Sequence, residues 1–232
     1  MKVLGIIPAR YGSTRFPGKP LTMIGGKTMI RRTYEQVLKS SLDAVVVATD
    51  DQRIFDEVLG FGGKVVMTRT DHKSGTDRCC EALDLMGGDF NAVVNIQGDE
   101  PFIDPKEINQ VADLIRRDDT CLATLAKKIS DPSKLGNRNV VKVVFDKNGD
   151  ALYFSRHPLD NYQHIGIYAY KATTLRAIAA MPMGRLEQAE RLEQLRWLEN
   201  GLRIKVAVTE CGESIAIDTP QDLLNIPQEI LR

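Results

Sequence analysis

Short apolar runs alternate with longer amphipathic stretches along the first half of the chain, and this alternation predicts the fold. The apolar runs that predict strands are KVLGIIP, AVVVATD, KVVMT, AVVNIQGDEP, CLATLA, VVKVVFD, ALYFSR, HIGIYAY, IKVAVTE and SIAIDTP. Helices are predicted to begin near Met29, Asp51, Gly75, Pro105, Thr173 and Arg185. The early order of strand, helix, strand, helix is typical of an α/β protein with a doubly wound, mostly parallel sheet.

The segment from Cys121 to Tyr170 consists mostly of predicted strands. Within it, FDKNGDALYFSR predicts a hairpin with Asn148-Gly149 at the turn, because that dipeptide readily adopts the positive φ of tight hairpin turns. We therefore expect a β-rich subregion at about 121–171, continuous with the main sheet. No low-complexity linker or internal repeat interrupts the sequence, which predicts a single domain over residues 1–232.

The charge balance and the apolar runs exclude two broad classes of partner. Lys plus Arg is 31 and Asp plus Glu is 31, whereas a general nucleic-acid binder draws its affinity from a basic surface. No run of about 18 apolar residues occurs, so no membrane-spanning helix is expected. The four cysteines form no C-x-x-C pair, which argues against a zinc site or a disulfide framework. With a strand in place of a leader at the N-terminus, we expect a cytoplasmic protein.

Polar residues follow several of the predicted strands. They are Asp50 after VVVAT, residues 97–100 after VVNI, and Asp218 after SIAI. The carboxyl ends of the strands form the ligand crevice of an open α/β sheet, so these side chains are expected to face one cleft.

The loop after the first strand, PARYGSTRFPGKPL, combines cations with glycine and proline. Gly12 and Gly18 allow sharp turns and a close approach to a ligand, while Arg10, Arg15 and Lys19 offer donors to phosphate oxygens. The spacing does not fit a Walker A loop, because five residues separate the glycines and proline follows the lysine. From the residues alone, the loop is either a triphosphate cradle or a solvated surface loop.

This loop and seven further segments together resemble the sugar-activating cytidylyltransferases. The segments, in order along the chain, are VATDDQRI, HKSGTDR, NIQGDEPFI, ALYFSR, HIGIYAY, LEQAERLEQLRWLENG and IDTPQDL. Within the family, the likeness is to the branch that activates 3-deoxy-manno-octulosonate (Kdo) for lipopolysaccharide synthesis. The resemblance implies a nucleotide-diphospho-sugar transferase-like fold with a small dimerising portion, a homodimer, the substrates CTP and Kdo, and Mg²⁺ as cofactor.

The resemblance also implies roles for the residues of a nucleotide and metal site. Arg10, Arg15 and Lys19 would bind the phosphates, with Lys19 following the charge on the leaving pyrophosphate. Asp99 and Asp218 would hold Mg²⁺, and the remaining nucleotide-site residues would be Ala9, Ser74, Arg78 and Gln97. From the residues alone, Ser74 and Asp218 are also explained as helix N-caps, and Glu100 has no clear role.

The sugar site implied by the resemblance lies in the second half of the chain. Arg156 would bind the carboxylate of the sugar acid, and the other residues are His164, Tyr168, Glu193 and Gln194. His164 is either a general base or a structural histidine, and the Glu- and Arg-rich helix that carries Glu193 is also explained as a solvated face. Between SRHPLD and NYQHIGIYAY this chain is about a dozen residues shorter than the family pattern. In the family pattern, the loop at this position is long enough to cover the sugar site.

From the sequence alone, two alternatives to Kdo activation remain. One is activation of a related acidic sugar, 8-amino-Kdo or sialic acid. The other is a catalytically silent nucleotide-binding protein, against which the intact Lys19, Asp99 and Asp218 argue.

Overall fold

The computed structural model describes residues 1–12, 16–212, 215, 217 and 219–227, without the side chain of residue 225. The chain divides into two compact units. Unit 1 comprises residues 1–109 and 211–232, and unit 2 comprises residues 110–210. The single domain predicted over 1–232 stays a prediction.

Unit 1 is built on a parallel sheet. Its strands are β1 (Lys2–Ala9), β2 (Met23–Ile24), β3 (Lys27–Thr28), β4 (Ala44–Thr49), β5 (Val65–Met67) and β6 (Phe90–Asn95), and its helices are α1 (Met29–Val37), α2 (Gln52–Gly60) and α3 (Gly75–Met86), followed by α4 (Pro105–Arg116). Parallel pairing gives the order β6-β1-β4-β5, and β2 and β3 form a separate hairpin. Residues 3–7 of β1 are all buried, as expected for a central parallel strand. The predicted mostly parallel sheet with flanking helices is confirmed.

Local side-chain caps explain why the first three helices begin where the sequence predicts. The side chains of Thr28, Asp51 and Ser74 accept hydrogen bonds from backbone N–H groups in the first turns of α1, α2 and α3. The β2–β3 hairpin was not predicted. Its turn contains Gly25 and Gly26, both with positive φ.

A small apolar cluster fixes the C-terminal part of unit 1. Ile217 and Ile226 pack with Ile24 and Met29, and Phe16 lies against the same cluster. A short 3₁₀ helix, Pro220–Asn225, lies between the two C-terminal isoleucines. This packing places Ile217 and Ile226 against the segment that follows the loop PARYGSTRFPGKPL.

Unit 2 is rich in antiparallel strands. Its elements are β7 (Leu122–Lys128), α5 (Ser133–Gly136), β8 (Lys142–Phe145), β9 (Ala151–Ser155), β10 (Tyr162–Lys171), α6 (Ala172–Ala179), α7 (Arg185–Glu190), α8 (Gln194–Glu199) and β11 (Lys205–Val208). β10 pairs antiparallel with β7 and β8, β8 pairs antiparallel with β9, and β11 runs parallel to β7. The hairpin predicted around Asn148-Gly149 is present as β8 and β9, with Gly149 at φ 80°. No helix among the described residues is both long and apolar enough to cross a membrane.

The helix predicted from Arg185 is interrupted. Arg191 adopts φ 56° and ψ 46°, which ends α7 and separates it from α8. The two short helices are joined by a buried ion pair, in which the Arg196 guanidinium donates to both Glu187 carboxylate oxygens at 2.6 and 2.7 Å. Continuous helical spacing in LEQAERLEQLRW does not reveal this break.

Candidate functional site

A cleft of about 280 Å³ lies in unit 1 at the carboxyl ends of β1 and β6. It is lined by Pro8, Ala9, Arg10, Lys19, Pro20, His72, Lys73, Ser74, Gly75, Arg78, Gln97, Gly98 and Asp99. Four of these side chains are cationic at neutral pH (not counting His72), and one is a carboxylate. Six of the predicted nucleotide-site residues therefore lie together with the predicted metal ligand Asp99, in a pocket whose charge suits a polyphosphate.

Lys19 and Asp99 form an ion pair in this cleft. The distance from Lys19 Nζ to Asp99 Oδ2 is 2.7 Å, and the Lys19 side chain is 13% exposed. Lys19 opens a short 3₁₀ helix whose preceding residue, Gly18, has φ 71°. The sequence predicted both residues at the site but not their contact, because 80 positions separate them.

Two backbone features shape the cleft for an anion. A Cβ atom on Gly98 would lie 3.0 Å from the Pro8 carbonyl oxygen, so a side chain would crowd the backbone where the segment after β6 approaches β1. Gly75 begins the 12-residue helix α3 at the wall of the cleft. The N-terminus of a helix carries unpaired N–H groups and partial positive charge, which favour a phosphate.

Ser74 and Arg78 line the cleft, and each also makes structural contacts. Ser74 caps α3 reciprocally with Asp77, which confirms the cap that the residues alone suggested. The Arg78 side chain is 5% exposed, and its Nη2 donates to Asp50 Oδ2 at 2.7 Å. Asp50, a strand-end residue singled out in the sequence, thus holds Arg78 in place at the pocket wall.

Two predicted residues, Arg15 and Asp218, lie outside the described residues. Ile217, which precedes Asp218 in the chain, is described and buried, and its N–H donates to the Asp99 carbonyl oxygen at 3.1 Å. Among the described side chains, no group of three His, Cys, Asp or Glu residues is placed to hold a metal. Mg²⁺ needs only one or two carboxylates besides phosphate oxygens and water, so the Asp99 carboxylate in the cleft fits its requirements.

The structure adds His72 and Lys73 to the lining of the cleft. His72 Nε2 makes a short contact with Glu81 Oε2, and the Arg69 N–H donates to the same oxygen. Burial raises the pKa of Glu81, but the bonds from His72 and Arg69 outweigh it and lower that pKa overall. The sequence signal was the position of both residues beside the cap Ser74.

In unit 2, His164 and Tyr168 belong to an aromatic cluster. Their ring centroids are 5.2 Å apart, and Tyr168 lies 5.0 Å from the Trp197 ring. His164 Nε2 is 2.9 Å from Thr124 Oγ1, whose hydroxyl donates to the Ile167 carbonyl oxygen at 2.7 Å. Thr124 thus occupies the Nε2 atom of His164, which leaves Nδ1 as the ring nitrogen for a further hydrogen bond.

Burial controls the titration of both rings. It lowers the pKa of His164 to about 3, so the imidazole is neutral at physiological pH. Burial, followed by the negative charge of Glu193, raises the pKa of Tyr168 well above its usual range. The structure thus brings His164, Tyr168 and Glu193 together, with Gln194 buried as the first residue of α8.

Arg156 follows β9 and is half-buried. Its guanidinium donates to the carbonyl oxygens of Glu190 and Arg138, at 3.3 and 3.2 Å. It pairs with no carboxylate in the described part of the chain, so donors remain for a ligand. A guanidinium anchored in this way can bind a carboxylate through two parallel hydrogen bonds.

Sequence reasoning missed Lys142, a fully buried lysine behind Arg156. Its Nζ donates to the carbonyl oxygens of Asn137, Val140 and Arg156 at 2.8, 2.8 and 3.0 Å. Burial, with a contribution from the Arg156 charge, lowers the pKa of Lys142. The signal was a lysine within the apolar run VVKVVF.

Comparisons with known proteins identify the family of this chain. A family model described as cytidylyltransferase matches residues 4–204. The chain is 56% identical, over 96% of each chain, to a 3-deoxy-manno-octulosonate cytidylyltransferase of Bacteroides thetaiotaomicron. It is 48% identical, also over 96% of each chain, to an 8-amino-3,8-dideoxy-manno-octulosonate cytidylyltransferase of Shewanella frigidimarina.

A solved structure is similar across almost the whole chain. It is a CMP:2-keto-3-deoxy-manno-octonic acid synthetase complexed with CTP, with a TM-score of 0.91 and 40% identity over 97% of this chain and 96% of that one. The alignment with the Bacteroides relative spans 241 positions, more than the 232 residues of this chain, so that relative carries residues that this chain lacks.

Proposed function

The chain belongs to the cytidylyltransferase family, and from this premise we propose that it transfers CMP from CTP to the anomeric hydroxyl of Kdo. The hydroxyl oxygen forms a bond to the α-phosphorus of CTP, and the bond from that phosphorus to the bridging oxygen breaks. Pyrophosphate leaves with the electron pair, and the hydroxyl proton passes to solvent. The product, CMP-Kdo, would serve lipopolysaccharide synthesis.

The observation that carries the proposal is the basic cleft of unit 1, with the Lys19–Asp99 pair at its centre. Arg10 and Lys19, with Arg15, bind the triphosphate, and Lys19 stabilises the charge that develops on pyrophosphate. Phosphoryl transfer of this kind depends on alignment and charge neutralisation more than on covalent catalysis. Ala9, Ser74, Arg78 and Gln97 surround the base, the ribose and the α-phosphate.

Asp99 and Asp218 would hold Mg²⁺ in this proposal. The bond from the Ile217 N–H to the Asp99 carbonyl supports it, because it brings the residue before Asp218 to Asp99. The ion would supply positive charge to the phosphate oxygens and a template for them. Lys19 pairs with the Asp99 carboxylate, which keeps that carboxylate fixed in the cleft.

Unit 2 would supply the recognition of the sugar acid. Arg156 binds the carboxylate, and the adjacent buried charge of Lys142 adds to the attraction for an anion. His164 Nδ1 makes a hydrogen bond with one sugar hydroxyl, and Tyr168, Glu193 and Gln194 make hydrogen bonds with others. A pKa of about 3 makes His164 a weak general base at neutral pH, so we assign it a role in orientation.

A homodimer and a cytoplasmic location complete the proposal. The family resemblance supports the homodimer. The four cysteines are all free thiols, which supports a reducing compartment.

Activation of 8-amino-Kdo is the second candidate, because the Shewanella relative with that name matches this chain over 96% of its length. Pyrophosphate release would be measured with CTP and Mg²⁺ in the presence of Kdo, 8-amino-Kdo or sialic acid at equal concentration. We expect release with Kdo and little with the other two. Pyrophosphate release with the amino sugar alone would mean that the assignment of the sugar site to Kdo is wrong. CTP binding without pyrophosphate release in the presence of any of the sugars would favour a silent nucleotide-binding protein.

A further inference from the structure

The Tyr11 ring contacts two groups at the base of the loop that carries Arg10 and Lys19. The Arg53 guanidinium carbon lies 3.3 Å from the ring centroid. Gly18 also lies against the ring, because a Cβ atom there would approach the ring atoms to 3.0 Å. Gly18 has φ 71°, so the absence of a side chain serves both the backbone conformation and the ring contact.

Asp51 fixes the plane of the Arg53 guanidinium. Its two carboxylate oxygens accept from Arg53 Nε and Nη2 at 2.9 and 2.7 Å. The hydrogen bonds from the Arg53 side chain dominate the shift of the Asp51 pKa, which is lowered. Asp51 is itself held as the N-cap of α2 and accepts from the Arg53 N–H. The stacked group is thus attached to the rigid start of a helix.

The backbone of the loop closes on the same tyrosine. The Gly18 N–H donates to the Tyr11 carbonyl oxygen at 3.0 Å, which joins the two ends of the loop. Arg10 directly precedes Tyr11 and Lys19 directly follows Gly18, and both line the cleft. Restraining Tyr11 and Gly18 therefore restrains two of the cations that face the phosphates.

We propose that Arg53 and Asp51 are positioning residues that clamp Tyr11 against Gly18, so that Arg10 and Lys19 are preorganised for the triphosphate of CTP. The clamp rests on the proposed function, because it presumes a nucleotide in the cleft. Neither residue lines the cleft, so both act through Tyr11. An arginine suits the role because its planar group stacks on a ring while it donates in a fork, which the point charge of a lysine cannot do.

The test compares Arg53→Gln, Tyr11→Ala and the double variant. The Arg53 side chain is 58% exposed, so its replacement leaves the core intact. We expect each single variant to lower kcat/KM for CTP by about fivefold to tenfold, with KM for the sugar acid unchanged, because misplacing a binding group costs alignment. The double variant should lose no more than the larger single loss, and Arg53→Lys should recover little.

The matched control is Arg116→Gln. It removes an arginine that donates to an aspartate three residues away on a helix, at 3.0 Å, and that does not line the cleft. Its kcat/KM should equal that of the parent protein. Losses that multiply in the Tyr11→Ala, Arg53→Gln double variant, or an unchanged kcat/KM in Arg53→Gln, would overturn the clamp.

A second readout separates failure of the clamp from failure of the proposed function. Hydrogen exchange of the Gly18 amide in the ligand-free protein depends on the clamp but not on turnover. We expect it to be faster in Arg53→Gln than in the parent or in Arg116→Gln. If the parent releases no pyrophosphate from CTP, the proposed function fails, and an unchanged Gly18 exchange rate would then overturn the clamp as well.

Discussion

At the scale of single residues, the arrangement of charges in the cleft depends on contacts between distant parts of the chain. Lys19 could be selected from the sequence as a cation beside glycine in a strand-end loop, whereas Arg78 was selected through the family resemblance. Their partners, Asp99 and Asp50, are 80 and 28 positions away, and only the folded sheet brings them together. Lys142 was missed because a lysine on a strand is normally exposed, whereas this one donates to three carbonyl groups.

Replacement of Lys19 separates a catalytic role from a structural one. For Lys19→Met we expect kcat to fall about 100-fold, because one preorganised charge on a leaving group contributes on the order of 3 kcal/mol. The melting temperature should change little, because the partner left behind, Asp99, is 32% exposed and remains solvated in the cleft. Steady-state pyrophosphate release and thermal melting measure the two effects.

The control for this variant is Lys39→Met. Lys39 is an exposed lysine whose Nζ donates to the Gln36 side chain, so it shares only charge and size with Lys19. Its loss should leave kcat unchanged. An equal fall in both variants, or none in Lys19→Met, would contradict the assigned role of Lys19.

His164 should make stability depend on pH. Its folded-state pKa of about 3 lies below its ordinary value of 6.5, so the unfolded chain binds the proton more tightly. The stabilisation from a neutral His164 is therefore complete above pH 6.5 and is lost as the pH falls toward 3. Between pH 7 and pH 5 we expect the parent protein to lose about 2 kcal/mol more unfolding free energy than His164→Gln.

Urea denaturation of both proteins at pH 7 and pH 5 measures this difference. All other titrating groups are common to the two proteins, so the comparison isolates the histidine. Equal losses of unfolding free energy in the two proteins would mean that the pKa of His164 is not lowered by folding, so that His164 is charged in the folded protein at pH 5. In that case its ring would be available to bind an anion, and the orienting role assigned to it would be wrong.

At the scale of elements, the sequence predicted where the first three helices begin but not where the helix from Arg185 is interrupted. A helix start depends on a cap within a few residues, and Thr28, Asp51 and Ser74 are such caps. The break between α7 and α8 depends on the buried pair of Glu187 and Arg196. The sequence does not reveal that this pair is buried, because an exposed helix rich in Glu and Arg has the same local pattern. The candidate sugar residues Glu193 and Gln194 therefore lie at the start of α8, the second of two short helices, whereas the sequence placed them within one helix.

Arg191 carries the strain of this break. It is exposed, and at φ 56° a side chain costs about 1 kcal/mol relative to glycine. We expect Arg191→Gly to raise the free energy of unfolding by up to about 1 kcal/mol, measured by the midpoint of urea denaturation. The control is Arg185→Gly at the start of α7, where no positive φ is relieved, so glycine should lower the free energy of unfolding. A loss of stability in Arg191→Gly would show that its side chain contributes more than its backbone strain costs.

At the scale of the whole molecule, the alternation of apolar runs was sufficient to predict the fold class. Parallel strands buried on both faces have a distinctive composition, and β1 and β4 show it directly. The division into two compact units was not predicted, because no change in composition occurs near residues 110 or 210. The net charge of the chain did not predict the local charge of the cleft, since a chain with zero net charge still contains a basic cleft.

Nucleotide binding tests whether the two units unfold together. CTP with Mg²⁺ at about 100 times its dissociation constant should raise the free energy of unfolding by about 2.7 kcal/mol, because it binds only the folded state. The uninterrupted sequence predicts one domain, so we expect a single denaturation transition and slower hydrogen exchange at core amides of both units. The same CTP concentration should stabilise Lys19→Met less. Protection confined to residues 1–109, with two separate transitions, would instead mean that the cleft belongs to a unit that folds independently of residues 110–210, and the prediction of a single domain would be wrong.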